Sequence, residues 1–361
     1  MLVRFYVADQ NPHRDRSLGI TGYTDGLMHA LSAHSELQLD AVTSRSSYAP
    51  ACARARLLPF RTDRVLGRLA ADHLAYAWAP GRPSLWHFPK GFISALTRPR
   101  IPVVVTVHDM ILAHTARRYP HTRSRAAFAY WLSRIVHTLR NADHIIAVSQ
   151  HARAQIERFA DERRIRLPKL SVTYQGVRWE ECAGRPAGPK SDYVLHLASP
   201  EPHKQTSSLL ATWATLQGLG RSLPRLLLVG TPPADSRCNL DRIAHVEVRG
   251  RVSTEMLGEL MAQALVLVLP SEIEGFGLPA IEAYYRGTPV VYVRGTATDE
   301  LLDGIEGGFS PGDPSSLLRA LESTLSSSPA RIAQVACGLR ERLSWARCAE
   351  RTAAVYRELA A

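Results

Sequence analysis

Short and almost continuously apolar runs alternate along the chain with longer helical stretches. Runs that are apolar at every position, rather than at every second one, are typical of strands covered by helices on both faces. Strands that alternate with helices in this way form parallel sheets. The sequence therefore predicts an α/β protein. The predicted strands are 2–8, 101–107, 144–149, 193–198, 225–230, 264–270 and 289–293.

A segment rich in glycine and proline, ECAGRPAGPKSD at 181–192, separates two groups of predicted strands and has the composition of a linker. The length of 361 residues also exceeds the size at which one hydrophobic core usually stops growing. We therefore predict two doubly wound, parallel-sheet domains facing a cleft, the first over 1–182 and the second from 191 onward.

The loop and helix PSEIEGFGLPAIEAYYRG, at 270–287, carry two glutamates, Glu274 and Glu282. Ligands of open parallel sheets bind beyond the carboxyl ends of the strands, and this loop follows predicted strand 264–270. Its glycines let a ligand approach the backbone, and the helix start near Pro279 offers free N–H groups to a phosphate. Because carboxylates only accept hydrogen bonds, the glutamate pair suits the hydroxyl groups of a sugar and its phosphate carrier.

Two other interpretations of this pair stay open. Glu274 can be a solvent-exposed loop residue, with Glu282 a first-turn residue favoured by the helix dipole. The two carboxyl groups can also be the acid and base of a glycosidase, which lie roughly 5 to 9.5 Å apart. The sequence gives no such distance.

The net charge of +11 is unevenly distributed. Residues 1–182 contain 26 Lys and Arg but 14 Asp and Glu, a net of +12, whereas the remainder has a net of −1. This asymmetry indicates a polyanionic partner, which can be nucleic acid, an anionic membrane or a phosphorylated acceptor, and a generic solvated surface is the alternative. Segments 54–78 and 123–140 mix arginine with large apolar residues. Each is either a basic amphipathic element at a membrane surface or a core-facing helix with exposed arginines.

Other sequence features argue against export, membrane spans and metal sites. The N-terminus runs directly into a strand pattern without signal-peptide features, so a cytoplasmic location is expected. The longest apolar run, 264–270, is far shorter than the roughly 18 residues of a membrane span. The five cysteines are odd in number and form no CxxC pair, so we expect reduced thiols and no metal site.

The stretch PSEIEGFGLPAIEAYYRGTPVV, at 270–291, resembles the E-x7-E signature of the retaining glycosyltransferases of family 4, which have a GT-B fold. Segment 193–212 is similar to the mannosyltransferase-like branch of that family. The resemblance implies an acceptor-binding domain over 1–182, a nucleotide-sugar donor domain over 191–344, and a C-terminal helix over 345–361 that returns to the first domain. Further similar segments, in the family order, are GITGY (19–23), VVTVHDMI (104–111), ADHIIAVSQHAR (142–153), VTYQGV (172–177), FSPGDPSSLLRAL (309–321) and LSWARCAERTAAVYREL (343–359).

The resemblance also implies the roles of individual residues. Glu274 holds the hydroxyl groups of the donor sugar, and Glu282 holds the ribose. Lys204 neutralises the donor diphosphate, and His108, which follows strand 101–107, lies near the reacting centre. Glu274, His108 and Lys204 are thus the predicted catalytic residues. The predicted donor-binding residues are Gly22, Ser199, His203, Lys204, Glu274, Gly275, Phe276, Gly277, Leu278 and Glu282.

Composition supports the role of Lys204, because it is one of four lysines among 44 basic residues and arginine does not imitate a compact ammonium group. The sequence departs from the family at Ser199 and His203, where relatives typically have arginine, so diphosphate binding is expected to depend more on Lys204. Residues 19–22 do not form GxGxxG, which argues against a nicotinamide cofactor, and we predict that they form a loop close to the phosphate or the acceptor.

The implied reaction transfers a hexosyl group from a nucleotide sugar to an acceptor hydroxyl with retention of the anomeric configuration. No protein nucleophile is invoked, because the leaving phosphate accepts the acceptor's proton while Glu274 and His108 position the sugar. Metal ions are unnecessary in such enzymes, and no DxD metal motif is recognised. The nucleotide sugar is a substrate, and no further cofactor is expected.

GDP-mannose is the first predicted donor and a UDP-sugar the second. The expected acceptor is a glycan or a lipid-linked molecule of cell-surface polysaccharide, lipopolysaccharide or natural-product biosynthesis, with peripheral association at the inner membrane face. Nucleic acid is not expected as a partner, and the oligomeric state is not predicted. The rival functions are a basic nucleic-acid-binding or membrane-binding protein without catalysis, and a sugar-nucleotide epimerase or phosphorylase of the same fold.

Overall fold

The protein is described by a computed structural model that covers residues 1–10, 18–44, 50–78, 81–178, 190–236 and 240–360. The chain forms two compact units. The N-terminal unit contains Met1–Gly176 and Leu343–Ala361, and the C-terminal unit contains Val177–Arg342. Most of the predicted linker, 181–192, lies outside the described residues.

The N-terminal unit is built on a parallel sheet of seven strands in the order β3-β2-β1-β4-β5-β6-β7. The order reverses between β1 and β4, as in doubly wound folds. The strands are β1 Leu2–Tyr6, β2 Gln38–Ser44, β3 Arg54–Leu58, β4 Leu85–Phe88, β5 Val103–Val107, β6 His144–Ala147 and β7 Lys169–Val172. The helices are α1 Leu18–Leu31, α2 Val65–Trp78, α3 Ile111–Arg118, α4 Arg125–Asn141 and α5 Gln150–Glu162, with the C-terminal helix described below.

The C-terminal unit is built on a parallel sheet of six strands in the order β10-β9-β8-β11-β12-β13. Here the order reverses between β8 and β11. The strands are β8 Tyr193–Ala198, β9 Arg225–Gly230, β10 Val246–Arg249, β11 Val266–Leu269, β12 Val290–Val293 and β13 Gly308–Phe309. The helices are α6 Thr206–Gly218, α7 Thr254–Gln263, α8 Leu278–Tyr285, α9 Ala297–Leu301, α10 Pro314–Leu325 and α11 Pro329–Arg342.

The prediction of two doubly wound parallel sheets is confirmed, and each of the seven predicted strands corresponds to a strand of the structure. Six strands were not predicted, namely the interior strands β2 and β4 and the four edge strands β3, β7, β10 and β13. Three of them, RARLL, KLSV and VEVR, carry charged residues and are only partly buried, because an edge strand is not covered on all sides. The search for continuous apolar runs therefore misses the edge strands, and it also misses β2 (QLDAVTS) and β4 (LWHF), in which polar residues interrupt the apolar run.

The predicted loop at 19–22 is wrong, because these residues lie at the start of helix α1. Tyr23, Leu27 and Leu31 recur at a spacing of four and are all buried, which gives the segment one apolar helical face. This spacing determines the conformation of the segment despite its glycines.

The last helix, α12 Trp345–Ala360, belongs to the N-terminal unit and packs against α1. Tyr356 is fully buried, and its hydroxyl group forms a hydrogen bond with Nδ1 of His87 in β4. Trp345 lies against two glycines: a Cβ built on Gly26 would be 2.3 Å from its ring, and one built on Gly176 would be 2.4 Å from it. Glycine at both positions therefore makes room for the indole ring.

We expect Gly26→Ala to destabilise the protein by about 2 kcal/mol, because the new methyl group overlaps the Trp345 ring and overpacking typically costs about 1–3 kcal/mol. Gly22→Ala is the matched control, since Gly22 lies in the same helix and a Cβ there meets nothing within 4 Å. This second change should stabilise by up to about 1 kcal/mol, because alanine favours helices. Thermal unfolding of both variants tests the comparison, and a Gly26→Ala variant as stable as Gly22→Ala would contradict it.

Candidate active site

The predicted donor site lies where the strand order of the C-terminal sheet reverses. β8 and β11 are hydrogen-bonded neighbours, with Val194 opposite Val266. A turn at Pro202–Lys204 follows β8, and the loop with Glu274 follows β11. Residues 70 positions apart in sequence therefore meet at one edge of the sheet, and the reversal of strand order is the usual ligand position in doubly wound folds.

Lys204 and Glu274 form an ion pair at this edge. The Nζ atom of Lys204 donates to Oε1 of Glu274 at 2.6 Å, and the side chains are 31% and 13% exposed. A backbone bond of 3.0 Å from the Glu272 N–H to the His203 carbonyl joins the two loops as well. The structure thus brings together two of the three predicted catalytic residues. An ammonium group has three donors, so this pair leaves two for a further acceptor such as a phosphate oxygen.

Helix α8 begins four residues after Glu274 and presents an uncapped N-terminus. Its N-cap residue is Gly277, and no side chain caps it, with Pro279 at the second helical position. Three other helices of the same unit are capped by side chains, namely those of Ser253, Thr296 and Asp313. Pro279 has no N–H group, and the Ala280 N–H donates to the Gly277 carbonyl at 3.0 Å. It is therefore mainly the dipole of α8 that favours an anion beside the Lys204–Glu274 pair.

Glycine is required at Gly277 for two reasons. Its φ of +92° lies in the left-handed region, and a Cβ there would be 2.5 Å from Oγ1 of Thr298. Thr298 is buried at the start of α9, which follows β12 at the same sheet edge. Sequence analysis missed Thr298, because its importance comes from a contact across two loops.

The remaining predicted donor residues surround the helix start. Glu282 lies one turn into α8 and is half-buried, as is Leu278. Gly275 and Phe276 are buried, so a ligand at this loop meets their backbone more than the phenyl ring. These positions are compatible with the predicted contacts to a sugar, a phosphate and a ribose, which stay predictions.

Ser199 and His203, which stand in place of arginines, have structural contacts. The Ser199 N–H donates to Oγ1 of Thr206 at 3.2 Å, and its Oγ accepts the Glu201 N–H at 3.2 Å. His203 is 6% exposed, within the turn that ends at Lys204. Ser199 therefore stabilises the turn by these hydrogen bonds. The ammonium group at the end of the turn is that of Lys204, which contacts Glu274.

A buried histidine that sequence analysis missed supports this turn. In β8, His196 contacts the carbonyl of Val268 through Nδ1 and Oγ1 of Thr206 through Nε2, both at 3.0 Å. A carbonyl only accepts, so Nδ1 carries the proton and Nε2 accepts from the threonine. Burial lowers the pKa of His196 to about 4, which keeps the ring neutral. The resulting chain of hydrogen bonds connects β11, β8 and the start of α6 to the Ser199 backbone.

The third predicted catalytic residue, His108, lies in the N-terminal unit immediately after β5. Its Nε2 donates to the carbonyl of Pro89 at 2.7 Å, and its ring packs edge-on against Tyr23 at 4.7 Å. Burial lowers the pKa of His108 to about 4, so the imidazole is neutral near pH 7. With Nε2 committed as the donor, Nδ1 carries the lone pair and can accept a hydrogen bond. Gly22 lies exposed in α1.

Polar residues that sequence analysis also missed follow β1 and β4, the two neighbouring strands between which the strand order of the N-terminal sheet reverses. Asp9 and Gln10 follow β1, and Lys90 follows β4. Nζ of Lys90 donates to the Asp9 carbonyl at 2.7 Å and lies 3.6 Å from its carboxylate. Gln10 is 2% exposed, and neither its Nε2 nor its Oε1 has a hydrogen-bond partner among the residues that the structure describes. Buried amides are rarely unsatisfied, so this group is suited to a bound water or ligand. The position of these residues just after the first predicted strand was the available signal.

Among the described residues, no group of three or more His, Cys, Asp and Glu side chains is placed to hold a metal ion. The absence of a metal requirement therefore stays a prediction.

We expect Gly277→Ala to destabilise the protein by about 1–3 kcal/mol more than Gly304→Ala. Both glycines have a positive φ, which costs a residue with a Cβ about 1–2 kcal/mol, but a Cβ on Gly304 meets nothing within 4 Å. The excess measures the collision with Thr298. Thermal and denaturant unfolding of the two variants test this expectation, and equal losses would contradict a collision at Gly277.

Two family models match the chain in succession. The model described as "Glycosyltransferase Family 4" matches residues 19–177, and the model described as "Glycosyl transferases group 1" matches residues 191–327. The first falls within the N-terminal unit except for its last residue, and the second falls within the C-terminal unit.

Curated relatives and solved structures agree with these models. The chain is 27% identical to O-antigen chain mannosyltransferase B of Escherichia coli over 273 residues, which covers 71% of this chain and 70% of that protein. It is similar in structure to a sucrose-phosphate synthase from Thermosynechococcus elongatus, with a TM-score of 0.70, 20% identity and 99% coverage of both chains. It is also similar to Anabaena HepE in complex with UDP-glucose, with a TM-score of 0.67, 17% identity and coverage of 99% and 100%. The chain has the GT-B fold and belongs to the family 4 glycosyltransferases.

Proposed function

We propose that this glycosyltransferase transfers a hexosyl group from a nucleotide sugar to an acceptor hydroxyl with retention of the anomeric configuration. The observation that carries the proposal is the Lys204–Glu274 ion pair beside the uncapped start of α8. A cation and an open helix N-terminus suit a diphosphate, and a carboxylate at the same place suits sugar hydroxyl groups.

The two partners of the ion pair have separate tasks in this proposal. Lys204 uses its remaining donors to bind the diphosphate and to stabilise it as it leaves, together with the first turn of α8. Glu274 uses its second oxygen to accept a hydroxyl group of the sugar and so orients the sugar for attack. Glu282, one turn further, accepts from the ribose. The leaving phosphate takes the acceptor's proton, so no protein nucleophile is required.

The N-terminal unit supplies groups for the acceptor. A neutral His108 offers a lone pair on Nδ1 to a hydroxyl group. Gln10, whose buried amide is unsatisfied, and the Asp9–Lys90 pair offer both donors and acceptors to a polyol.

We propose GDP-mannose as the first donor to test and a UDP-sugar as the second. The first choice is supported by the similarity to an O-antigen chain mannosyltransferase, and the second by the similarity to a protein solved with UDP-glucose. The first of these relatives also supports a role in cell-surface polysaccharide or lipopolysaccharide synthesis, with a glycan or lipid-linked acceptor.

A nucleoside diphosphate at about 100 times its Kd should stabilise the protein by about 2.7 kcal/mol in a thermal-shift panel of GDP, UDP, ADP and dTDP. Lys204→Ala and Glu282→Ala should each weaken the effective nucleotide about 10- to 100-fold, because they remove contacts to phosphate and ribose. Glu274→Gln should keep or strengthen nucleoside diphosphate binding, since it removes a carboxylate that competes for Lys204, yet it should abolish transfer.

Lys169→Ala is the control for the loss of a lysine, because Lys169 pairs with Glu358 in the N-terminal unit. No shift with any of the four nucleotides would overturn the donor site, and a salt-sensitive complex with duplex DNA would then favour the nucleic-acid alternative. If Glu274→Gln weakens the nucleotide as much as Lys204→Ala, the division of tasks is wrong. The anomeric proton of the product, observed by NMR, distinguishes retention from inversion, and isomerised donor without transfer would indicate an epimerase.

We also propose that the N-terminal unit associates with anionic membrane surfaces. Helices α2 and α4 bury one face in the core, as the core-facing alternative predicted, but they also expose large apolar residues. Leu66 in α2 is 81% exposed between the exposed Arg64 and Arg68. An exposed leucine flanked by arginines suits an anionic lipid interface. No described helix is long and apolar enough to cross a membrane.

We expect the protein to sediment with phosphatidylglycerol vesicles at low salt, to sediment less with phosphatidylcholine vesicles, and to be released by salt. Leu66→Gln should weaken binding about fivefold or more, because it removes an apolar group that enters the interface. Leu219→Gln is the matched control, since Leu219 is 69% exposed but lies in the C-terminal unit. Equal binding to both kinds of vesicle, or equal losses in both variants, would contradict the proposal.

A further inference from the structure

A cavity of about 660 Å³ lies in the C-terminal unit, away from the ion pair of Lys204 and Glu274. Its wall includes Leu265 and Pro289, which immediately precede β11 and β12. The ion pair is formed by residues that follow β8 and β11, at the carboxyl ends of the strands. The cavity therefore lies at the opposite, amino ends of the strands. Its volume is in the range of small-molecule sites, which are about 300–1,000 Å³.

Apolar side chains form most of the cavity wall. Tyr284 and Tyr285 come from the end of α8, and Ile332 and Ala336 come from one face of α11. Leu325 closes the wall from the end of α10. A concave, mainly apolar and aromatic wall with a few polar groups is typical of a ligand site.

The charged residues that line the cavity, among those the structure describes, are both cationic: Lys190 and Arg340. Nζ of Lys190 donates to the Ala262 carbonyl at 2.8 Å and to Oγ1 of Thr288 at 2.7 Å, neither of which carries a charge. Lys190 is an exposed residue overall, but the partial burial of its ammonium group lowers its pKa to about 8.

The other three lysines of the chain each lie beside a carboxylate. Lys90 is 3.6 Å from Asp9, Lys169 is 2.5 Å from Glu358 and Lys204 is 2.6 Å from Glu274. In the part of the chain that the structure describes, Lys190 has no such partner. An anionic group at the cavity would supply the missing counter-charge, and the apolar wall would cover a hydrocarbon chain attached to it.

We propose that this cavity binds a single-chain anionic amphiphile of the fatty-carboxylate class. Its chain lies against Tyr284 and Ile332, and its carboxylate is bound by Lys190 and Arg340. The site is separate from the donor site, and the proposal does not rest on the proposed transfer reaction.

The test is isothermal titration calorimetry of the full chain with decanoate below its micelle concentration. We expect one site per chain. Butyrate should bind far more weakly, because each methylene group removed from water contributes about fourfold in affinity. Decyltrimethylammonium, which has the same chain and the opposite charge, should bind at least tenfold more weakly than decanoate.

Variants locate the site. Ala333→Trp should abolish decanoate binding by filling the cavity, whereas Ala330→Trp, in the exposed first turn of the same helix and outside the cavity wall, should not. Lys190→Gln should weaken decanoate at least tenfold, whereas Arg221→Gln, an exposed arginine of the same unit, should have no effect. Thermal unfolding controls for the integrity of each variant.

Chemical protection gives a second readout, because the exposed Cys337 lines the cavity. Decanoate, but not butyrate, should slow the alkylation of Cys337 by iodoacetamide, as followed by peptide mass spectrometry. The proposal is overturned by an absence of decanoate binding at millimolar concentration, by unchanged binding in Ala333→Trp, or by equal affinity for the cationic amphiphile.

Discussion

The pairing of β8 with β11 is the constraint on which the donor site depends. β9 and β10, which lie between β8 and β11 in sequence, pair on one side of β8. β11 therefore pairs with β8 on its other side. The loops after these neighbouring strands then meet, and Lys204 and Glu274 form an ion pair although 70 positions separate them. Right-handed parallel crossovers allow few other arrangements, so the site follows from the topology more than from any local motif.

Neutral histidines reinforce both sheets near their centres. His196 links β8 to β11 and to the start of α6, and His87 links β4 to Thr106 of β5 and to Tyr356 of α12. Burial lowers the pKa of His87 to about 3 and that of His196 to about 4. The unfolded chain binds protons below about pH 6.5 that these folded rings exclude, so both histidines reduce stability as the pH falls from about 6.5 toward 4.

The two-sheet architecture could be predicted from sequence, because most of the buried parallel strands are apolar throughout, and the residues around Glu274 could be noticed because they form a contiguous motif. The order of the strands is encoded in packing rather than in local pattern. Sequence alone therefore missed residues whose meaning comes from a distant partner, such as Thr298 against Gly277, whereas Gln10 could have been noticed from its position after the first predicted strand. Residues 19–22 were predicted as a loop after the first strand, whereas the spacing of Tyr23, Leu27 and Leu31 places them in helix α1.

The N-terminal unit is assembled from two stretches of chain that are separated by the whole C-terminal unit. Residues 1–176 emerge from the ribosome before α12 is synthesised. Until then the first sheet lacks the helix that packs against Gly26 and supplies the hydroxyl partner of His87. The C-terminal unit is continuous and can complete its core in the meantime. Although it is translated first, the N-terminal unit is thus completed last, and the surface that α12 covers stays exposed to solvent until then.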